Sequence, residues 1–263
     1  MNEMRSLKGA FPFRLGTTSY IIPDDILPNV KYLSDKVDDI ELVLFESDEM
    51  ANIPSAAIVD ELDKLARQNQ LTYTVHLPLD IHTGHAEECE RTRSVEKCRR
   101  IIGRMAPLEP AAYLLHLEGD KRGGVPSDDI PRWQAQHRQS VKALIADVAP
   151  EKLCVETLDY PFELVTDIID DLGLGVCLDI GHLLLYGYDV DAHLDTYLQH
   201  TGVIHLHGIH AGRDHSAISY LESDFLEALW KVLQEGYRHI LTLEIFGEKS
   251  FRRSIETLRD MAR

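Results

Sequence analysis

Histidines, aspartates and glutamates recur near the ends of short apolar runs in this chain. His76 closes the run 71–77, His116 and Glu118 close 113–118, and Glu156 stands in 153–157. Asp179 ends 175–180, His205 and His207 lie in 203–209, and Glu244 lies in 239–245. Side chains two apart on a strand share a face. On that rule His76 joins Thr72 and Thr74, Glu156 joins Cys154, Asp179 joins Cys177, and Glu244 joins Thr242. The opposite faces, such as Leu71, Tyr73, Val75 and Leu77, are apolar. Imidazole and carboxylate groups buried together are costly unless paired or bound to metal. A mixed His/Asp/Glu donor set suits Zn²⁺, Mn²⁺ or Fe²⁺ rather than Ca²⁺ or Mg²⁺ alone. Any one of these histidines alone reads more readily as a hydrogen-bonded structural residue. Recurrence on six runs favours metal ligation.

The elements that must position these residues follow a rhythm. Eight strands are predicted at 13–18, 39–45, 71–77, 113–118, 153–157, 175–180, 203–209 and 239–245. Helices are predicted at 24–35, 54–69, 90–105, 127–147, 161–171, 190–200, 221–235 and 249–262. Pro54 suits the first turn of one helix, and Ser127 is a candidate cap for another. Eight strand–helix units imply a parallel sheet, and a single (β/α)₈ TIM barrel closes it most simply. The alternative is an open doubly wound sheet. Residues 1–12 read as a loose N-terminal arm and 13–263 as one barrel domain. The glycine-bearing loop around Lys121–Pro126 is expected to lie over the barrel mouth. In such barrels the active site gathers at the C-terminal strand ends, where the ligands above would converge.

Bulk composition narrows the function. The 263 residues carry a formal net charge of −17. That field opposes the phosphate backbone of nucleic acid and anionic lipid headgroups, so neither is an expected partner; a small molecule is. The four cysteines, Cys89, Cys98, Cys154 and Cys177, form no C-x-x-C pair. No apolar run approaches the length of a membrane span, and Arg5 and Lys8 are not followed by a leader-like segment. Cytoplasmic location is the resulting expectation. Trp133 and Trp230 read as packing residues. His82, His85, His137, His193, His200 and His239 read as solvated or structural.

Laid out in this way, the chain resembles the xylose-isomerase-like barrel superfamily, which includes the endonuclease IV group and many sugar isomerases and epimerases. The pieces are VHLP at 75–78, LLHL at 114–117, VET at 155–157, LDIGH at 178–182, IHLHG at 204–208, RDH at 213–215 and LEI at 243–245. The resemblance implies two or three divalent ions per chain. Glu156 would bridge two ions, with His76 and His116 on the first. Asp179, His205 and Glu244 would hold the second, and His182, Asp214 and His215 a third. Asp214 and His215 are adjacent here, whereas the family pattern separates its Asp and His by one residue. HLHG also replaces the usual HLxD, which leaves His205 against His207 open. The strings at 14–25, 41–46 and 72–80 are similar to the cobamide-remodelling phosphodiesterases. That similarity implies hydrolysis of the phosphoester that holds the lower-ligand nucleoside, releasing α-ribazole and a cobinamide phosphate.

In that reading Glu156 and Glu244 serve catalysis, with Glu244 orienting or deprotonating the attacking water. Arg213 is a candidate phosphate contact, because guanidinium binds phosphate in bidentate fashion. Thr17 and Tyr20 follow the first strand and could line the substrate mouth. Glu41 shares a face with Asp39 and Val43 and could line the pocket or neutralise the barrel floor. The rival is a sugar isomerase or epimerase, in which Glu156 and Glu244 flank one metal. An endonuclease comes third.

Overall fold

The computed structural model describes residues 6–47 and 51–262. Eight parallel strands close a barrel: β1 (Arg14–Thr18), β2 (Asp39–Val43), β3 (Thr72–His76), β4 (Ala112–Leu115), β5 (Leu153–Glu156), β6 (Gly175–Asp179), β7 (Thr201–Leu206) and, after a two-stranded hairpin, β10 (Ile240–Leu243). The hairpin, β8 (Gly208–His210) and β9 (Arg213–Ser216), is antiparallel and stands outside the barrel. Around the barrel lie α1 (Ile26–Leu33), α2 (Ala56–Asn69), α3 (Glu88–Met105), α4 (Ile130–Leu144), α5 (Glu163–Leu172), α6 (Ile180–Tyr186), α7 (Val190–Tyr197), α8 (Ser223–Gly236) and α9 (Glu248–Met261). The single (β/α)₈ barrel is thus as the alternation predicts.

The two faces of the strands separate into two apolar clusters. Tyr73, Val75, Leu115, Val155, Val176, Leu178, Ile204, Leu206, Leu241 and Leu243 join the main core with helix residues such as Leu62, Ile101, Trp133, Ile168 and Leu229. Ala112, Leu114, Cys154, Cys177, Val203 and Ile240 form a smaller cluster on the inward-facing side. On β2 and β3 the lumen is polar instead. Buried Asp39 accepts hydrogen bonds from Thr72 Oγ1 (2.6 Å) and Thr74 Oγ1 (2.9 Å). Burial pushes its pKa up to about 6, with those two bonds working the other way.

Several boundaries differ from the sequence reading. Of the expected N-terminal arm, residues 1–5 lie outside the described part and residues 6–12 make specific contacts with the barrel. Leu7 is buried, Gly9 N–H donates to Asp38 Oδ1 at 2.9 Å, and Phe11 packs edge-on against Trp230. The arm docks because its apolar side chains find the foot of the barrel. Pro54 precedes α2, whose cap is Ser55. Asp129, not Ser127, caps α4; the Ser127 hydroxyl donates to Asp120 Oδ2 at 2.9 Å. The ladder of β4 stops at Leu115, so His116 and Glu118 lie just beyond it. Helix α6 is an addition to the expected elements, and Asp179 caps it by accepting the His182 N–H at 2.8 Å.

One buried histidine fixes the segment after β4. His137 on α4 sits between the Thr83 hydroxyl, 2.8 Å from Nδ1, and the Glu118 carbonyl, 3.2 Å from Nε2. A carbonyl can only accept, so Nε2 carries the hydrogen. Trp133 Nε1–H donates to the same carbonyl at 3.0 Å. Burial pushes the His137 pKa down to about 3 from its ordinary value of 6.5, the Glu118 contacts opposing weakly. Between those values the unfolded chain binds a proton that the folded chain refuses. Stability must therefore fall as pH drops through that window. From about pH 7 to about pH 5 this residue is expected to cost about 2 kcal/mol. Urea unfolding of wild type and His137→Gln at both pH values checks this. The wild type should lose about 2 kcal/mol more than the variant, and equal losses would contradict the assignment.

Candidate metal centre

Glu156 lies at the centre of the barrel mouth with no exposed surface. Its Oε2 is 3.0 Å from His116 Nε2, 3.5 Å from His76 Nε2 and 3.7 Å from His205 Nδ1, while Oε1 is 3.4 Å from His182 Nδ1. Asp179 Oδ2 stands 3.1 Å from His182 Nδ1 and 3.8 Å from His205 Nδ1. Glu244 Oε2 lies 3.2 Å from His205 Nδ1 and 3.3 Å from His215 Nε2. Among the described residues donor atoms converge in four groups that a cation could occupy, three of them without a cysteine. Those three are His76, His116 and Glu156; Glu156, Asp179, His205 and Glu244; and His182, His207 and His215. Cys177 also lies close to Glu156 and His205.

These residues fit a divalent ion by a test independent of any resemblance. His116 Nε2, both Glu156 oxygens, Asp179 Oδ2, His205 Nδ1, His207 Nε2 and Glu244 Oε2 are buried and lack a hydrogen bond of good geometry among the described residues. Unsatisfied polar atoms of this kind are rare in folded proteins and need a partner. The ring tautomers agree. His76 Nδ1–H donates to the Leu77 carbonyl at 2.7 Å, which leaves Nε2 free. His116 Nδ1 faces Glu118 Oε1 at 3.2 Å, again leaving Nε2. A partner on the far nitrogen is how ligating histidines are usually oriented.

Without a cation the cluster holds protons. Burial opposes charge on His116, but Glu156 and Glu118 outweigh it and push its pKa to about 10. At His182 burial is likewise outweighed, chiefly by Asp179 and Glu156, again to about 10. At His215, Glu244 and Asp214 raise the value to about 9 against burial. Burial favours the neutral acid at Glu156 and Glu244, yet the neighbouring imidazoles hold both well below the usual carboxylate range.

Each sequence-predicted residue finds a definite place. His205 and His207 lie in different candidate donor groups. Asp214 does not join a donor group. It pairs with its own neighbour, Oδ1 to His215 Nδ1 at 3.0 Å, and His207 completes the trio with His182. His207 fits because residue 181 is glycine; a Cβ there would stand 2.0 Å from the His207 ring. His215 takes a left-handed backbone (φ +49°), a strained conformation for a non-glycine residue that aims its ring at Glu244. Arg213 is exposed on β9 and does not line the cavity. Thr17 is fully buried and donates to the Leu243 carbonyl at 2.9 Å, tying β1 to β10. The Tyr20 hydroxyl accepts from Asn52 Nδ2 at 2.6 Å, away from the cavity lining. Glu41 is fully buried, with Oε2 at 2.8 Å from His205 Nε2, and is not a pocket residue.

A cavity of about 510 Å³ opens above the cluster. Lys121 and Arg122 line it, as do Leu79, Tyr186 and Phe246, which are exposed apolar residues at the mouth. The loop holding the two cations is closed by Lys121 N–H to the Pro126 carbonyl (3.0 Å) and by Gly123 N–H to Asp159 Oδ2 (2.6 Å). The loop around Lys121–Pro126 lies at the mouth as expected, but the sequence reading gives no site role to Lys121, Arg122, Leu79, Tyr186 or Phe246. Two adjacent cations in a glycine-bearing loop directly after the His116 strand were the available signal. Glu118, two residues from His116 on the same face, was another.

Metal ligation requires neutral imidazole, so a cation must displace the protons held on His116, His182 and His215. Metal uptake at neutral pH should therefore release protons, and apparent affinity should rise with pH towards the raised values. Calorimetric titration of the metal-free protein with Zn²⁺, in buffers of differing ionisation enthalpy, measures this directly. Binding without proton release would contradict the protonation described.

The sequence matches the model of a family described as xylose isomerase-like TIM barrel over residues 35–261. No curated protein matches it closely. Among solved structures, a D-tagatose 3-epimerase-like protein superposes with a TM-score of 0.76 at 19% identity, covering 95% of this chain and 97% of the other. The 3-keto-D-glucoside 4-epimerase YcjR from E. coli gives 0.73 at 14%, over 95% and 98%. Endonuclease IV from Thermus thermophilus gives 0.70 at 17%, over 94% and 98%. At these identities the likeness to individual structures is one of fold, while the family model spans most of the sequence. This chain belongs to the xylose isomerase-like TIM barrel family.

Proposed function

We propose that this protein is a metal-dependent phosphodiesterase whose substrate is the nucleotide-loop phosphodiester of a cobamide, cleaved to α-ribazole and a cobinamide phosphate. One observation carries the reading. The four-residue group of Glu156, Asp179, His205 and Glu244 is flanked by two further histidine-rich donor groups. Several cations held side by side suit phosphodiester cleavage, in which attacking and leaving oxygens both need stabilisation. Bound there, divalent ions would supply Lewis-acid stabilisation of the phosphoryl oxygens and lower the pKa of water.

The chain's own residues do the rest. Glu156 sets the spacing between the first two donor groups. Glu244 lines the cavity with Oε2 turned to His205 and His215, so Oε1 is left to orient the attacking water and take its proton. Water oxygen bonds to phosphorus, the bond from phosphorus to the ribose oxygen breaks, and that oxygen leaves with a proton. Lys121 and Arg122 take the phosphate role expected of Arg213, since they line the cavity and it does not. The exposed rim of Leu79, Tyr186 and Phe246 suits a substrate with a broad apolar body better than a free sugar.

The second reading is a sugar epimerase. The four-residue group alone would serve it, with Glu156 and Glu244 flanking one metal to move a proton, and several of the structural neighbours bear epimerase names. It leaves the two histidine groups without a task.

The test is incubation with adenosylcobalamin under added Zn²⁺, Mn²⁺ or Fe²⁺, followed by chromatography for α-ribazole. Product should form with metal and stop with chelator. Corrinoid unchanged under every metal would overturn the cobamide reading, and turnover of ketoses in the same preparation would favour the epimerase. Glu156→Gln should keep the fold by circular dichroism but lose at least about 100-fold in activity, as loss of a bridging ligand requires. Near wild-type activity would refute the bridging role.

A further inference from the structure

We infer that Glu41 is a positioning residue of the metal centre: it holds the proton of His205 on Nε2 and so presents Nδ1 to the cation. This rests on the metal centre and is independent of the substrate class. Glu41 lies on β2 and His205 on β7, two strands that are not neighbours in the barrel, so the contact crosses the lumen. Both side chains have no exposed surface, and Glu41 Oε2 is 2.8 Å from His205 Nε2. In this contact the imidazole Nε2–H donates and the carboxylate oxygen accepts. The other ring nitrogen, Nδ1, is the one facing Glu244 Oε2 (3.2 Å), Glu156 Oε2 (3.7 Å) and Asp179 Oδ2 (3.8 Å), and it has no hydrogen bond of good geometry among the described residues.

The rest of the Glu41 carboxylate has no comparable task. Oε1 is buried without a hydrogen-bond partner among the described residues. A carboxylate kept in a dry lumen for one contact is a poor device for stability, because apolar replacement of buried ionic groups is often neutral or favourable. Its contact makes chemical sense if it orients a ligand. A carboxylate behind a ligating imidazole fixes the tautomer and ring plane and makes the free nitrogen more basic. Loss of such a partner typically weakens metal binding about 10–100-fold.

The experiment compares wild type, Glu41→Gln and Glu41→Leu. Zinc affinity is measured by competition with a chromophoric chelator, melting is measured in excess EDTA, and the His205 nitrogen shifts are read by NMR in the zinc-loaded protein. Glu41→Leu should bind zinc about 10–100-fold more weakly while its metal-free melting temperature is no lower than that of wild type. Glu41→Gln, whose amide oxygen can still accept, should recover most of the affinity. Wild type should show a protonated His205 Nε2 and a metal-bound Nδ1. Unchanged zinc affinity in Glu41→Leu, or a wild-type spectrum with the proton on Nδ1, would overturn the inference. Should Glu41→Leu fail to fold, the wild-type spectrum and Glu41→Gln decide. A wild type that takes up no zinc refutes the metal centre itself, an outcome distinct from failure of the Glu41 role.

Discussion

Three carboxylates buried within reach of one imidazole are the constraint on which the structure turns. Glu156, Asp179 and Glu244 all approach His205 Nδ1 in a region that water barely enters. Such a set is stable only with compensating positive charge. Protons on His116, His182, His205 and His215 can supply it, and those imidazoles are raised while Glu156 and Glu244 are held ionised. Divalent cations can supply it more completely, satisfying the oxygens and nitrogens that are otherwise orphaned.

The barrel exists in a form that makes this concentration of charge possible. Its outward faces are apolar and packed against the helices, which gives the barrel a main core separate from the polar donors of the lumen. The lumen is free to change character with height: hydroxyls and Asp39 low down on β2 and β3, small apolar residues and cysteines on β4 to β7, then the donors. Most of these donors sit at or just past the ladder ends, where the backbone can turn. Helix α6 begins directly after β6, so Asp179 caps the helix with one oxygen and offers the other to the site. The hairpin β8–β9 brings His215 back over the mouth from outside the barrel. The donor constellation is therefore assembled from rigid strand ends plus two short excursions.

Much of this is legible in the sequence because period-two alternation is a strong local signal. It places His76, Glu156, Asp179, His205 and Glu244 on the inward face of eight strands whose order the alternation also implies. What it does not carry are relations set by turns. Asp214 and His215 are adjacent and both line the cavity, yet only the His215 ring turns to Glu244, while Asp214 pairs with that ring. Arg213 shares that hairpin and points elsewhere, while Lys121 and Arg122 reach the cavity from a loop whose path no periodicity encodes. Glu41 lies on the right face, but its partner is across the lumen, a distance that no strand pattern reveals. Residues 6–12 escape the local signal for a similar reason: Phe11 finds Trp230, more than two hundred positions away, only after the barrel closes.

The central claim is that this buried array is a metal centre rather than a proton-filled salt-bridge cluster. Elemental analysis of the purified protein, after loading with Zn²⁺ and exhaustive dialysis, tests it most directly. A metal centre should retain at least two equivalents per chain, in keeping with its several donor groups. Fewer than about 0.1 equivalents retained, with the melting temperature unaffected by the metal, would contradict it.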